Sequence, residues 1–312
     1  MLIHLEFFYW SWGLLLCCSV INCFVWTVQI ERWRSMKGKK QTGQRIFDYV
    51  IMGIVILISL FPFLWVLLSS FKTNSQILSS SFSLPTSFYT DGYRIALEKV
   101  DIISRFFTSL FVAGISTVLA VVLYSMAGYV LARTEFKGKK VIFMVLISSM
   151  LIPSNAMVQP VYFVINKLGL YDTKAGLILI YTGFGMALSL FLMKNFFLSV
   201  PKELEEAAYM DGAGFLKTFT KIMLPLSKSA MASSAILTFI FSWNEFMYAM
   251  LLTSSEKNRT LPLTIKYFTS TFSFNYSSMF AALVMCILPT VIVYVILQEQ
   301  IAESMVAGSI KG

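Results

Sequence analysis

Charged side chains are scarce in this sequence. Asp, Glu, Lys and Arg make up 13% of its 312 residues, while 57% are hydrophobic. Soluble domains carry about 25% charged residues, so a soluble globular enzyme and a disordered chain are both excluded. Histidine is nearly missing: His4 is the single one, which removes histidine-based acid–base catalysis and histidine metal sites. The four cysteines, Cys17, Cys18, Cys23 and Cys286, all lie inside apolar runs. That placement suits small buried hydrophobes and excludes a disulfide scaffold. The sequence also has no G-x-x-x-x-G-K-S/T loop to cradle nucleotide phosphates. It has no ATPase site of its own, so energy for any uphill work must come from a partner or from an ion gradient.

What the sequence does contain is apolar chain in long stretches. Seven runs approach the roughly 20 residues needed to cross the hydrocarbon core of a bilayer: 7–30, 47–70, 106–132, 141–165, 175–193, 229–252 and 279–298. They do not alternate as barrel strands do. Backbone groups in lipid must be satisfied within the segment, so the runs are helices and the fold is an all-α integral membrane protein. The formal charge of +9 comes from short basic loops between spans, with no continuous stripe for nucleic acid. Placing 31–46, 133–140, 194–228 and 301–312 in the cytoplasm gives them 16 Lys and Arg, against 9 for the opposite loops at 71–105, 166–174 and 253–278. The positive-inside rule therefore puts the C-terminus and the 194–228 loop in the cytoplasm. Arg32, Arg34, Lys37, Lys39, Lys40 and Arg45 supply the strongest anchor.

Residues 1–35 form an extra hydrophobic segment ahead of a transmembrane domain at 36–312. The run Phe7–Ile30 carries Trp10, Trp12 and Trp26 as interfacial anchors and lacks the basic start of a secretory signal. Two readings stay open for it: an additional span, or a mis-called start with Met36-Lys-Gly-Lys-Lys as the true N-terminus.

The longest cytoplasmic loop is the informative one. Residues 199–225 read SVPKELEEAAYMDGAGFLKTFTKIMLP. Ser199 predicts a helix cap, Pro201 its first turn, and Glu203, Glu205 and Glu206 favour the positive end of its dipole. Asp211-Gly212 stops it. A second short helix follows, with Phe215, Phe219, Ile222 and Met223 on one apolar face, and Pro225 ends it. The expectation is a helix–turn–helix hairpin outside the membrane, held against something by that face.

Within this hairpin, Glu206-Ala207-Ala208, Gly212, Ile222 and Leu224-Pro225 stand at the spacing of the EAA signature. The chain resembles the permease subunits of binding-protein-dependent ABC importers, in the maltose-type branch for carbohydrates. Leu168-Gly169-Leu170, Gly176-Leu177-Ile178-Leu179, Trp243-Asn244-Glu245-Phe246, Val306-Ala307-Gly308 and Lys311-Gly312 fit that branch. The resemblance covers residues 40–312. It implies the type I importer fold, with six core helices and a coupling hairpin in which Glu206, Ala207, Ala208, Asp211, Gly212, Ile222, Leu224 and Pro225 meet a separate ATPase. It also implies two ATPase subunits, a second homologous permease and an extracytoplasmic solute-binding protein. This chain would bind no cofactor, with ATP and Mg used by the partner ATPase. Family members often carry a proline near 185–188, where this chain reads Gly185-Met186-Ala187-Leu188, so the kink expected there loses its proline.

Other residues carry weaker signals. Glu245 is the only acid well inside an apolar span and must face the bundle or a wet cavity. With Asn244 and Pro153 it is a candidate for the translocation pathway. A hydrogen-bond partner for a neighbouring helix is its equal alternative. Pro62, Pro153 and Pro289 allow kinks. The rival functions are a permease for another solute, such as a polyamine or polyol phosphate, an ion-coupled secondary carrier, and a membrane enzyme. The carrier would need more buried ionisable groups and paired repeats, and the enzyme needs acid or histidine pairs that are lacking.

Overall fold

The computed structural model describes residues 42–270 and 273–309. The run at 7–30, the segment 1–35, the basic cluster Arg32–Lys40, His4, Cys17, Cys18, Cys23 and Lys311-Gly312 lie outside those residues. The regular structure of the described chain is helical apart from one antiparallel pair of two-residue strands, β1 (Thr269–Ser270) and β2 (Ser273–Phe274), in register Thr269 to Phe274. Its described residues form two units, 42–93 with 275–284 and 94–274 with 285–309.

The first unit is built on α1 (Thr42–Ser69), which keeps Pro62 inside it. Its most apolar window has no residue buried by the described chain, with Leu57 and Ile58 each 69% exposed. Such a helix is covered by lipid or by other spans. After it, α2 (Asn74–Ser79) is capped by the Thr73 hydroxyl. Buried Lys72 donates from Nζ to the Ser81 carbonyl at 2.9 Å, and the Trp65 indole N–H donates to the same oxygen at 3.1 Å. The Asn74 side-chain carbonyl accepts the N–H of Tyr276, where the last helix begins, at 2.9 Å.

The second unit holds α3 (Asp91–Lys99) in part, then α4 (Ile102–Arg133), the longest helix lying wholly within it, started by Asp101, whose carboxylate accepts the Ser104 N–H at 2.9 Å. It continues with α5 (Lys139–Ser148), α6 (Val158–Lys167), α7 (Lys174–Phe184) and α8 (Met186–Ser199). Then come α9 (Glu203–Met210), α10 (Phe215–Thr218), α11 (Leu224–Leu226), α12 (Lys228–Asn244), α13 (Met247–Leu252), α14 (Thr264–Phe268) and, from Met285 on, α15 (Tyr276–Ser309). Helix α4 packs along α7, α8 and α12. Its contact face is made of small residues: Ala113, Ser116, Ala120 and Ser125 are fully buried. In lipid, where apolar side chains gain little by leaving one apolar medium for another, close backbone approach and interhelical hydrogen bonds hold helices together. Gly128 permits that approach, since a Cβ there would stand 2.8 Å from Met193 Cβ on α8. The Tyr124 hydroxyl donates to the Thr182 carbonyl of α7 at 2.7 Å.

Three predicted spans are not straight. The run 141–165 turns by 102° between Lys139–Leu151 and Ser154–Lys167, because Pro153 has no N–H and drives Ile152 to φ −87°, ψ 117°. The run 175–193 bends by 48° between α7 and α8. The kink survives without a proline: Gly185 lies at the bend, where a Cβ would stand 3.1 Å from the Thr238 hydroxyl. The run 229–252 breaks after Asn244, since Glu245 adopts φ −67°, ψ 129°. In the other direction, α15 passes the expected end at 298 and runs to Ser309, because the residues beyond (EQIAESMVA) are mostly good helix formers.

At the end of this unit remote from Arg133, Asp172 clasps the loop after α13. Its Oδ1 accepts the N–H of Ser254 at 2.9 Å and of Ser255 at 3.0 Å, its other oxygen accepts the Ser255 hydroxyl, and its backbone carbonyl accepts the Asn258 amide. These donors, the Ser255 hydroxyl foremost, hold the Asp172 carboxyl far below the usual carboxylate range. Asp172 takes φ 54° to reach them.

Candidate functional site

The hairpin stands where the sequence places it, but its joints differ. Helix α9 begins at Glu203 with Lys202 as its N-cap and no side-chain cap. Ser199 instead ends α8 and donates back to the Phe196 carbonyl at 2.7 Å, a bond available to a serine in the last turn. The three glutamates do occupy the first turn of α9. Gly212 closes α9 with φ 76°, its N–H on the Tyr209 carbonyl at 3.0 Å and the Ala213 N–H on the Ala208 carbonyl at 2.9 Å. This is the left-handed closure that glycine adopts without a Cβ penalty. The second helix does not end at Pro225. It continues through a π turn at Phe219–Met223 into α11, which contains Pro225. Pro225 has no N–H for the Lys221 carbonyl, so the ladder shifts register and the Leu224 N–H reaches the Phe219 carbonyl.

The apolar face predicted for the second helix turns inward. Phe219 and Met223 are buried with Tyr129, Ala132, Met193 and Phe197, and Ile222 and Leu224 pack against that cluster. Tyr129 lies at the centre. Its ring stacks on Phe219 at 5.0 Å and meets Phe215 at 4.9 Å and Phe197 at 5.4 Å. Burying such rings contributes about 2–3 kcal/mol each, and each favourable ring pair about 1 kcal/mol more. One face of α9 joins them, with Glu205 and Ala208 buried. Arg133, the last residue of α4, meets Glu205 as an ion pair at 2.7 Å, and its guanidinium also donates to the Val200 carbonyl at 2.6 Å. The Nε–H direction lies outside hydrogen-bond geometry, so charge attraction carries the contact with Glu205.

The EAA positions therefore divide. Glu206, Ala207, Asp211, Gly212 and Pro225 face outward, whereas Ala208, Ile222 and Leu224 fasten the hairpin to its own chain. The outward surface also carries Met210, 87% exposed, and Leu216, 65% exposed. The outward side thus joins an exposed apolar rim to an acidic first turn, a combination that monomeric soluble surfaces seldom display. In the loop after α4, Lys139 beside Glu135 holds that carboxyl below its usual range. The sequence singled out neither Arg133 nor Tyr129, and it gave Glu205 only a role at the positive end of the helix dipole. The available signal was spacing: Glu205 and Ala208 share a face three residues apart, about 100° from Glu206.

The pathway candidates meet around Tyr248, whose N–H goes to Glu245 and whose hydroxyl goes to the carbonyl next to Pro153. Glu245 is a structural cap: its Oε1 accepts the Tyr248 N–H at 2.8 Å, and its Oε2 accepts the Ala249 N–H at 2.9 Å and the Tyr181 hydroxyl at 2.7 Å. Its carboxylate thus starts α13 where α12 stops. Asn244 turns back to the Ile240 carbonyl at 2.9 Å. Pro153 stands at the 102° turn, and the carbonyl of the next residue, Ser154, accepts the Tyr248 hydroxyl at 2.5 Å. Among the described residues no cluster of three His, Cys, Asp or Glu side chains is placed for a metal. A groove of about 330 Å³ is lined by Ile102, Phe106, Leu261, Met285, Leu288 and Pro289 among other apolar residues. It offers no polar group to orient a hydroxylated solute.

Residues 124–306 match the family model described as binding-protein-dependent transport system inner membrane component. The diacetylchitobiose uptake system permease protein NgcG of Streptomyces coelicolor is 33% identical over 264 residues, 84% of this chain and 86% of that protein. The trehalose transport system permease protein SugB of Mycobacterium tuberculosis is 32% identical over 279 residues, 89% of this chain and all of that one. Among solved structures, a chain of a bacterial ABC transporter involved in the import of the acidic polysaccharide alginate superposes with a TM-score of 0.73 at 26% identity, covering 84% of this chain and 99% of that one.

Proposed function

The chain belongs to the family of binding-protein-dependent transport system inner membrane components, as a permease subunit of an ABC importer, and from that premise we propose that it carries a sugar or oligosaccharide inward by alternating access. The named substrates of its relatives, diacetylchitobiose and trehalose among them, support the sugar class. A second, homologous permease completes the pathway. Two ATPase subunits bind the hairpin end and handle ATP and Mg, while this chain binds no cofactor. An extracytoplasmic solute-binding protein delivers the sugar at the opposite end. The basic loops put the hairpin and the C-terminus in the cytoplasm.

The observation that carries this reading is the division of the hairpin. One side is locked to α4 and α8, and the other presents Glu206, Ala207, Met210 and Gly212 to a partner. When two ATPase subunits close on ATP, a hairpin seated in their cleft is dragged, and the spans rock with it. The test has two parts. An ATPase subunit co-elutes with the purified chain, and cells expressing the system take up trehalose, diacetylchitobiose or melibiose in preference to putrescine and glycerol 3-phosphate. Uptake of the polyamine or the polyol phosphate alone would remove the sugar. Transport by the lone chain in liposomes under an ion gradient would remove the ATPase.

A further inference from the structure

We infer that the buried Arg133–Glu205 pair is a strut that makes the hairpin and the foot of α4 one rigid lever, so that movement delivered to the hairpin turns α4 directly. The inference rests on the reading of the hairpin as the joint with the ATPase. Three observations carry it. The two side chains are only 5% and 9% exposed, and a carboxylate at such depth persists because the guanidinium lies against it. The same guanidinium holds the Val200 carbonyl, in the link between α8 and α9, so one side chain of α4 grips both the start of the hairpin and the end of the preceding span. One turn back on α4, Tyr129 holds Phe215 and Phe219 of the second hairpin helix.

The other exit from the hairpin is built differently. Toward α12 the chain passes through the π turn at Phe219–Met223 and then a 76° bend between Phe215–Leu226 and Lys228–Asn244. The π turn is itself held under Tyr129, so the interruption on this side is the 76° bend that follows it. A stiff connection to α4 and a compliant one to α12 send a displacement of the hairpin into α4, which packs along α7, α8 and α12. The adjacent acids thus have separate tasks, Glu206 outward to the partner and Glu205 inward to the strut.

The experiment uses the full chain in its assembled complex, with its four cysteines replaced and nitroxide labels at Val130 on α4 and Lys217 on the hairpin, both exposed. Pulsed electron–electron distances are read without nucleotide and with ATP and vanadate. In the otherwise native chain the Val130–Lys217 distance stays the same in both states. In the Glu205→Gln variant, with ATPase subunits still co-purifying, ATP shifts it. A nucleotide-dependent distance in the native chain, or an unchanged one in the variant, overturns the strut. The native-chain measurement decides the matter even where the variant fails to insert. Failure of any ATPase subunit to co-purify with the native chain counts instead against the hairpin's assignment as the docking joint.

Discussion

Glu245 illustrates how a lone carboxylate survives inside an apolar span. Two backbone N–H groups and the Tyr181 hydroxyl converge on its oxygens, satisfying the donors that α13 exposes when α12 breaks off. Glu245→Gln keeps the shape but turns an amide N–H₂ toward those donors. It should destabilise the protein by about 1–3 kcal/mol, the cost of leaving buried partners unmet, read as a lower melting temperature in detergent. An unchanged melting temperature with altered uptake would return Glu245 to the translocation pathway. Asp172 gives a pH dependence. Its folded pKa is depressed, so its contribution to stability is present above the ordinary carboxylate range and is lost as pH falls through the lower folded value. Melting temperature should therefore show no loss from this group between pH 7 and about pH 5 and should fall in more acid solution. Asp172→Asn should start lower at neutral pH and lose part of that acid dependence. An identical acid profile in the variant would show that the clasp contributes nothing.

At the scale of the element, the hairpin's outward side separates docking from folding. Glu206 is exposed, and a Cβ on Gly212 would meet open space. Neither Glu206→Lys nor Gly212→Asp thus clashes within the chain. The glycine replacement carries only the left-handed backbone strain, about 1 kcal/mol, an amount that leaves a membrane bundle folded. Both variants should insert in normal amounts and abolish uptake. Normal uptake in both, at wild-type expression, would dismiss the outward side as a docking surface. The presence of this hairpin, its glycine stop and its acidic first turn were legible because they depend on residues within a few positions of one another. The direction of its apolar face was not. Phe215, Phe219, Ile222 and Met223 mark a face by period alone, and only the rings of Tyr129 and Phe197, remote in sequence, show that it is covered by the chain's own spans.

For the whole molecule, the meeting of α4 with α8 at Gly128 sets how tightly the second unit closes. Gly128→Leu drives a branched side chain into Met193 and the Lys194 backbone, within 3.0 Å of where its Cβ must stand. Overpacking of this kind costs about 1–3 kcal/mol. Thermal unfolding in detergent should report it, with Gly128→Ala milder and wild-type melting in both speaking against close approach at this point. The membrane class, the apolar helices among the described residues and the family resemblance could be read from the chain alone, because long apolar runs and motif spacing are local properties. Where those runs bend was only half legible. Pro153 marked one break, while the break at Glu245 and the bend at Gly185 arise from contacts with Tyr181 and Thr238 on other helices. The inward role of Glu205 likewise needed three dimensions. Two neighbouring glutamates look alike in a string of letters, and they part company only when helix α9 is laid against the end of α4, where one meets a buried guanidinium and the other meets solvent.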